Sequence, residues 1–175
     1  WKSLCTVGKS KRWQANPEMV LLAGALLVYL MTRLTGLEQY PIYFFSDEAV
    51  QTVLAQDFLR DGLRNADGDF LPTYFYNSYQ YNLSVSVYAQ ILPFLMAGKT
   101  IFVTRATSVL VTLIAALAAA LILKNIFHSQ YAWLGTMILV ITPAWFLHSR
   151  TAFETSMSVS FYAGFLYCYL MYRQK

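Results

Sequence analysis

Ala106–Leu123 reads ATSVLVTLIAALAAALIL, a stretch without a charge in which only Thr107, Ser108 and Thr112 are polar. A run of this length and composition approaches the roughly 20 apolar residues that carry a helix across a bilayer. Outward from it, Ser129–Ser149 and Thr155–Tyr172 are of similar length and also lack Asp, Glu, Lys and Arg. Pro17–Thr32 is broken only by Glu18, and Arg33 is placed to snorkel to the interface. The whole chain agrees: 57% of its residues are apolar and 13% charged, against about 45–50% and about 25% in soluble domains. The reading is an all-α integral membrane chain with four spans, at about 17–34, 106–123, 129–149 and 155–172, and a long external loop at about 35–105.

Charge sets the expected sidedness. Lys2, Lys9, Lys11 and Arg12 precede the first span, whereas seven acids against two arginines give a net −5 between Glu38 and Asp69. With the leader cytoplasmic, Lys124, Arg173 and Lys175 also fall inside, as positive-inside bias requires, and Arg150 and Glu154 fall outside with the acidic loop. The net charge of +4 therefore reports membrane sidedness and is not a nucleic-acid signature. The basic leader is not read as a cleaved secretory signal, because Arg33 and Leu34 stand where small residues are needed. The chain is read as the N-terminal part of a longer multi-pass protein of the plasma membrane. Two cysteines, Cys5 and Cys168, make no disulfide framework.

Within the external loop, Ser46 suits a helix N-cap, Asp47 and Glu48 suit the first turn, and Val50, Val53, Leu54 and Phe58 recur at helical spacing. This predicts an amphipathic juxtamembrane helix reaching Gly62. Asn65–Asp69 reads as a turn. From Phe70 to Gly98 the chain carries no charge but five tyrosines, at 74, 76, 79, 81 and 88. The apolar core of that stretch, Leu83–Met96, is too short to cross a bilayer as a helix and fits an interfacial or re-entrant segment.

Few residues can carry chemistry. Asp47 and Glu48 are either an ordinary helix start or a carboxylate pair able to take a proton or hold a divalent cation. Arg150 and Glu154, one helical turn apart, are either a surface ion pair or a phosphate-holding guanidinium beside a second metal-binding acid. Asp67-Gly68-Asp69 is a turn by composition, and Asn82-Leu83-Ser84 is a sequon pressed against the bilayer. His128 and His148 lack partners at zinc spacing, and no phosphate loop or nucleophile elbow is present.

The order of these features resembles a family. A basic leader, one span, Ser46-Asp47-Glu48-Ala49 on an amphipathic helix, an aromatic stretch, Arg105 entering a span and Ser149-Arg150-Thr151-Ala152-Phe153-Glu154 heading another are similar to the N-terminal part of the GT-C membrane glycosyltransferases. The similarity is to the branch of protein O-mannosyltransferases and the aminoarabinose transferase of lipid A. The resemblance implies transfer of a sugar from a polyprenyl-phosphate donor to a lipid, glycan or protein acceptor at the outer face. It implies Asp47 as catalytic base or metal-linked carboxylate, Glu48 as its companion and Glu154 as the acid of the second external loop, with a divalent metal cation as possible cofactor. Relatives carry Lys-Pro or Pro-Pro where this chain reads Tyr79-Gln80-Tyr81-Asn82-Leu83, so Arg150 takes the place of a lysine contact to the donor phosphate. The fragment is expected to be inactive alone. The alternative is a non-enzymatic multi-span membrane protein, a transporter or scaffold subunit, although transporter charges belong near the midplane and these sit at span ends.

Overall fold

The computed structural model describes residues 17–77 and 80–174, so the basic leader, Cys5, Tyr79 and Lys175 lie outside the described residues. The elements in chain order are α1 (Pro17–Leu34), α2 (Ser46–Arg60), β1 (Tyr74–Asn77), β2 (Gln80–Leu83), α3 (Ser84–Ala97), α4 (Ile101–Asn125), α5 (Trp133–Ile141), α6 (Pro143–Ser149) and α7 (Glu154–Arg173). Among the described residues the chain is mostly helical, and two helices, α1 and α4, are long and apolar enough to cross a membrane.

α4 is the hub, packed against α1, α3, α5 and α7. Its buried positions include Ala115, Ala116, Ala118 and Ala120, small residues that let helix backbones approach closely. Gly135 on α5 takes advantage of this: a Cβ there would lie 2.9 Å from Leu123 Cδ1 and 3.1 Å from the Ala119 backbone. Thr136 next to it donates to the Ala116 carbonyl at 3.0 Å. Gly135→Ala should therefore lower stability by about 1–3 kcal/mol through overpacking, measured as a fall in thermal midpoint in detergent. Gly24→Ala, where a Cβ meets nothing within 4 Å, should be near neutral, and equal midpoints for the two variants would contradict this packing.

The expected span at 129–149 is two helices. Pro143 has no N–H and its ring crowds the carbonyl four residues back, so α5 stops at Ile141 and Thr142 is extended (φ −72°, ψ 114°). The carbonyls freed at this break do not go unsatisfied. Arg33, at the end of α1, donates to Leu139 O at 2.8 Å and Val140 O at 3.3 Å, and to Ser149 Oγ at 3.2 Å. The snorkelling expected of Arg33 is replaced by complete burial.

Helix ends gather in two layers. At one end Glu18 of α1 pairs with Lys124 of α4 at 3.5 Å, and Asn125 donates to the Tyr167 hydroxyl of α7 at 2.8 Å. At the other, Arg105 in the second turn of α4 meets α2, and Ala152 leads into α7. α4 and α7 thus run opposite to α1.

α2, the hairpin and α3 cover this second end. Ala55, Phe58, Phe75, Val87, Phe94 and Val103 form one buried cluster, with the Phe58 ring edge-on to Phe75 at 5.1 Å and to Tyr88 at 5.3 Å. The hairpin corrects the all-α expectation. β1 and β2 pair antiparallel, Tyr74 with Leu83, Phe75 with Asn82 and Tyr76 with Tyr81. Alternation explains it: Phe75 points into the core while Tyr74 and Tyr76 face outward, the period-2 pattern of a half-buried strand rich in aromatics. The turn at Asn65–Asp69 is as expected, closed by Gly68 N–H to Asn65 O at 3.0 Å.

Candidate functional site

α2 begins one residue earlier than a Ser46 cap requires. Ser46 is already helical, and the capping position belongs to Phe45 (φ −69°, ψ 154°). A phenyl ring cannot accept the first-turn amides, and only the reverse half of a capping box is made: Glu48 Oε2, at the third helical position, accepts the N–H of the capping residue Phe45 at 3.2 Å. The pattern recurs, because α3 and α7 start behind Leu83 and Phe153, which also make no side-chain cap bond. Three helices therefore start at this end of the bundle with apolar residues at their caps.

Asp47 and Glu48 are consecutive, so on a helix they point about 100° apart. Glu48 turns inward and is fully buried. Its carboxylate receives Arg105 bidentately, Nε to Oε1 and Nη2 to Oε2, both at 3.1 Å, and the Ala152 N–H to Oε1 at 3.0 Å. Arg105 spends its other donors on the carbonyls of Leu37, Pro41 and Tyr43 at 2.9–3.0 Å. Glu48 is thus a structural anchor joining α2, α4 and the entry to α7, not a surface companion of Asp47. Sequence reading places Arg105 at a span entrance but misses its pairing with Glu48.

Arg150 is also placed differently from the expectation of a phosphate contact. It is buried, and its guanidinium donates to the carbonyls of Thr32 at 2.7 Å, Thr35 at 2.8 Å, Gly36 at 3.0 Å and Tyr40 at 2.9 Å. Those carbonyls are the open C-terminus of α1 and its following turn, where the helix dipole favours a cation. Burial, and secondly the nearby Arg105 charge, hold its pKa below the ordinary arginine value. No ion pair forms between Arg150 and Glu154: one caps α1 while the other faces a different partner set.

Asp47 and Glu154 do come together. Both line a cavity of about 200 Å³ with Val50, Gln51, Asn82, Phe153 and Thr155. Asp47 is exposed. Glu154 is the first residue of α7, and its Oε2 accepts the Leu83 N–H at 2.9 Å and Gln51 Nε2 at 3.3 Å. Gln51, itself buried, is fixed from behind by Ser86 Oγ donating to its Oε1 at 2.6 Å. Both bonds to Glu154 fall on one oxygen, which leaves Oε1 for a ligand. Gln51, Ser86 and Asn82 are the site residues that sequence reading misses; Gln51 lies one turn beyond Asp47, the only signal that it shares that face.

Because α2 and α7 both begin at the cavity wall, their positive dipole ends, each equivalent to about half a charge, offset part of the charge of the two carboxylates. The volume lies below the ~300–1,000 Å³ of sites for drug-sized ligands, so it suits a head group. Among the described residues no group of three His, Cys, Asp or Glu is placed to hold a metal ion. Two carboxylates completed by substrate oxygens nevertheless form a donor set suited to a magnesium-like cation. Asp67 and Asp69 lie exposed in their turn and do not line the cavity; His128 follows α4 and His148 lies on α6, near opposite ends of the bundle. No family model matches the chain, and neither the curated proteins nor the solved structures include a match.

Proposed function

We propose that the chain belongs to a membrane-embedded glycosyltransferase that moves a sugar from a polyprenyl-phosphate donor to an acceptor hydroxyl or amine at the outer face of the plasma membrane. The observation that carries this reading is the meeting of Asp47 and Glu154, from distant parts of the chain, in one head-group-sized cavity at a single end of the helix bundle. In this reading α1, α4, the broken α5–α6 and α7 all cross.

Asp47, exposed and on the cavity wall, accepts the proton of the acceptor. The acceptor oxygen or nitrogen then forms its bond to the anomeric carbon, and the bond from that carbon to the phosphate oxygen breaks with its electron pair going to the phosphate, giving inversion. The leaving phosphate sits against the N-terminal ends of α2 and α7. Glu154, held through Oε2, orients the sugar or its phosphate through Oε1. A divalent cation held by Asp47 and Glu154 would add Lewis-acid neutralisation of the leaving phosphate. Glu48, Arg105 and Arg150 hold the scaffold and touch no reactant.

Sidedness is tested directly by cysteine labelling in a variant lacking Cys5 and Cys168. Gly68→Cys and Thr155→Cys, at the cavity end, should both react in intact cells with a membrane-impermeant thiol reagent, whereas Gln130→Cys at the other end should react only after permeabilisation. Labelling of only one of the first two would break the topology. The reaction is tested by transfer from a polyprenyl-phosphate sugar in the full-length protein; donor binding without transfer would favour the transporter or scaffold reading.

A further inference from the structure

α3 is apolar on its outer face and mixed on its inner one. The face it turns to α2 and α4 buries Ser86 and Gln90, together with Val87 and Phe94, and Gln90 is 0% exposed. The opposite face presents Val85, Leu92, Leu95 and Met96, the last three 65%, 68% and 79% exposed. Their successive spacings of seven, three and one place them in a single stripe. A water-facing helix would carry polar residues on that outer face. The hairpin extends the stripe: Tyr74, Tyr76, Tyr81 and Leu83 are exposed on one face, with the Tyr81 ring 5.1 Å from Tyr74 and 5.3 Å from Tyr76.

We infer that this tyrosine ladder and the outer stripe of α3 form a seat in one leaflet of the bilayer, the tyrosines at head-group depth and Leu92, Leu95 and Met96 among the acyl chains. Three observations select lipid as the occupant. After the single charge of Lys99, the stripe is followed by Ile101 and Phe102, exposed apolar residues at the start of α4, itself long enough to cross. No charged residue occurs between Asp69 and Lys99, and the tyrosine-then-aliphatic order follows the gradient from interface to hydrocarbon. α3, with 14 residues, spans only about 21 Å, short of the ~30 Å hydrocarbon core. Both its ends stay at the cavity end of the bundle: Leu83 N–H is on Glu154, and shortly past its C-terminus Thr104 Oγ1 lies 3.1 Å from Thr52 Oγ1.

The seat also places the cavity. Along β2, Tyr81 faces the ladder and Asn82 lines the cavity, while the Leu83 amide holds Glu154. A leaflet-bound ladder therefore sets Asp47 and Glu154 at the depth of lipid head groups. The inference does not depend on the transfer reaction.

Spin labels placed singly at Tyr76, Tyr81, Leu92, Leu95 and Met96 of the full-length protein in phosphatidylcholine–phosphatidylglycerol nanodiscs test it. All five are surface positions, and each variant is first checked for the parent's helical circular dichroism and melting midpoint. Collisions with oxygen should exceed those with an aqueous nickel complex several-fold at 92, 95 and 96, with the two comparable at 76 and 81, and nickel dominant at Gly68. Nickel dominance at 92 and 95 would overturn the seat. So would exclusion of both probes there, which would mean that another protein segment or a second copy covers the stripe. Depth increasing steadily from 76 through 96 past the bilayer midplane would mean that α3 crosses, and would also overturn it.

Discussion

Asp47→Asn should lower sugar transfer by the full-length protein roughly a hundredfold or more while leaving it folded if Asp47 is the general base proposed above, because only its charge is removed. If Asp47 merely complements the dipole of α2, the same change costs about 0.3–1 kcal/mol of stability and little activity. The geometry makes the distinction clean, since Asp47 is exposed at the cavity and carries none of the bonds that join α2 to α4. Glu154→Gln should also lose activity. Its effect should be partly masked in the double variant, because groups acting as one unit are not additive. Asp69→Asn, in the exposed turn, is the control and should transfer at the parental rate. Parental turnover by Asp47→Asn with a polyprenyl-phosphate sugar donor would remove this residue from the reaction.

One position along, the expected effect moves from activity to stability. Glu48→Ala strands the Arg105 guanidinium in a site only 1% exposed, and breaking a buried pair from one side costs about 3–5 kcal/mol. Arg105→Ala should cost a similar amount, since it also deprives the carbonyls of Leu37, Pro41 and Tyr43 of a donor. Glu48→Ala with Arg105→Ala leaves no orphaned charge, so the double variant should lose clearly less than the sum of the two singles. Denaturant titration in detergent reads all three. Single variants about as stable as the parent would mean that this pair does not hold the loop between α1 and α2.

The contrast between neighbours 47 and 48 also shows what the sequence can and cannot disclose. Uncharged runs locate α1, α4 and α7 because length and composition are local properties, and the dipeptide Asp47-Glu48 marks the right turn of the right helix. Which of the two faces the cavity depends on where Arg105 arrives from, 57 residues later, and no local pattern carries that. The arginines deceive for the same reason. A charge at the end of an apolar run is ordinarily solvated, yet Arg33 and Arg150 are buried because helix breaks elsewhere leave carbonyls that need donors. Pro143 is visible as the cause of one such break, but the absence of charge across 129–149 outweighs it. The hairpin is hidden because its tyrosines suit an interface whatever backbone carries them; the alternation of Phe75 between Tyr74 and Tyr76 is the available clue.

The reach of Arg33 across the bundle has a consequence in time. Its carbonyl acceptors at Leu139 and Val140 lie 106 and 107 residues downstream, and at ~5–20 residues per second of synthesis they emerge roughly 5–20 s after it does. During that interval the guanidinium has only its own helix to contact, donating to Thr32 Oγ1 at 2.8 Å and lying 4.3 Å from the centre of the Tyr29 ring. The α1 end of the bundle therefore closes only after α5 and α6 have been delivered, and Arg150, which caps α1 in return, arrives in the same instalment. A ribosome stalled before residue 139 should leave α1 formed but unlatched, accessible at its Arg33 end to a reagent that the finished protein excludes.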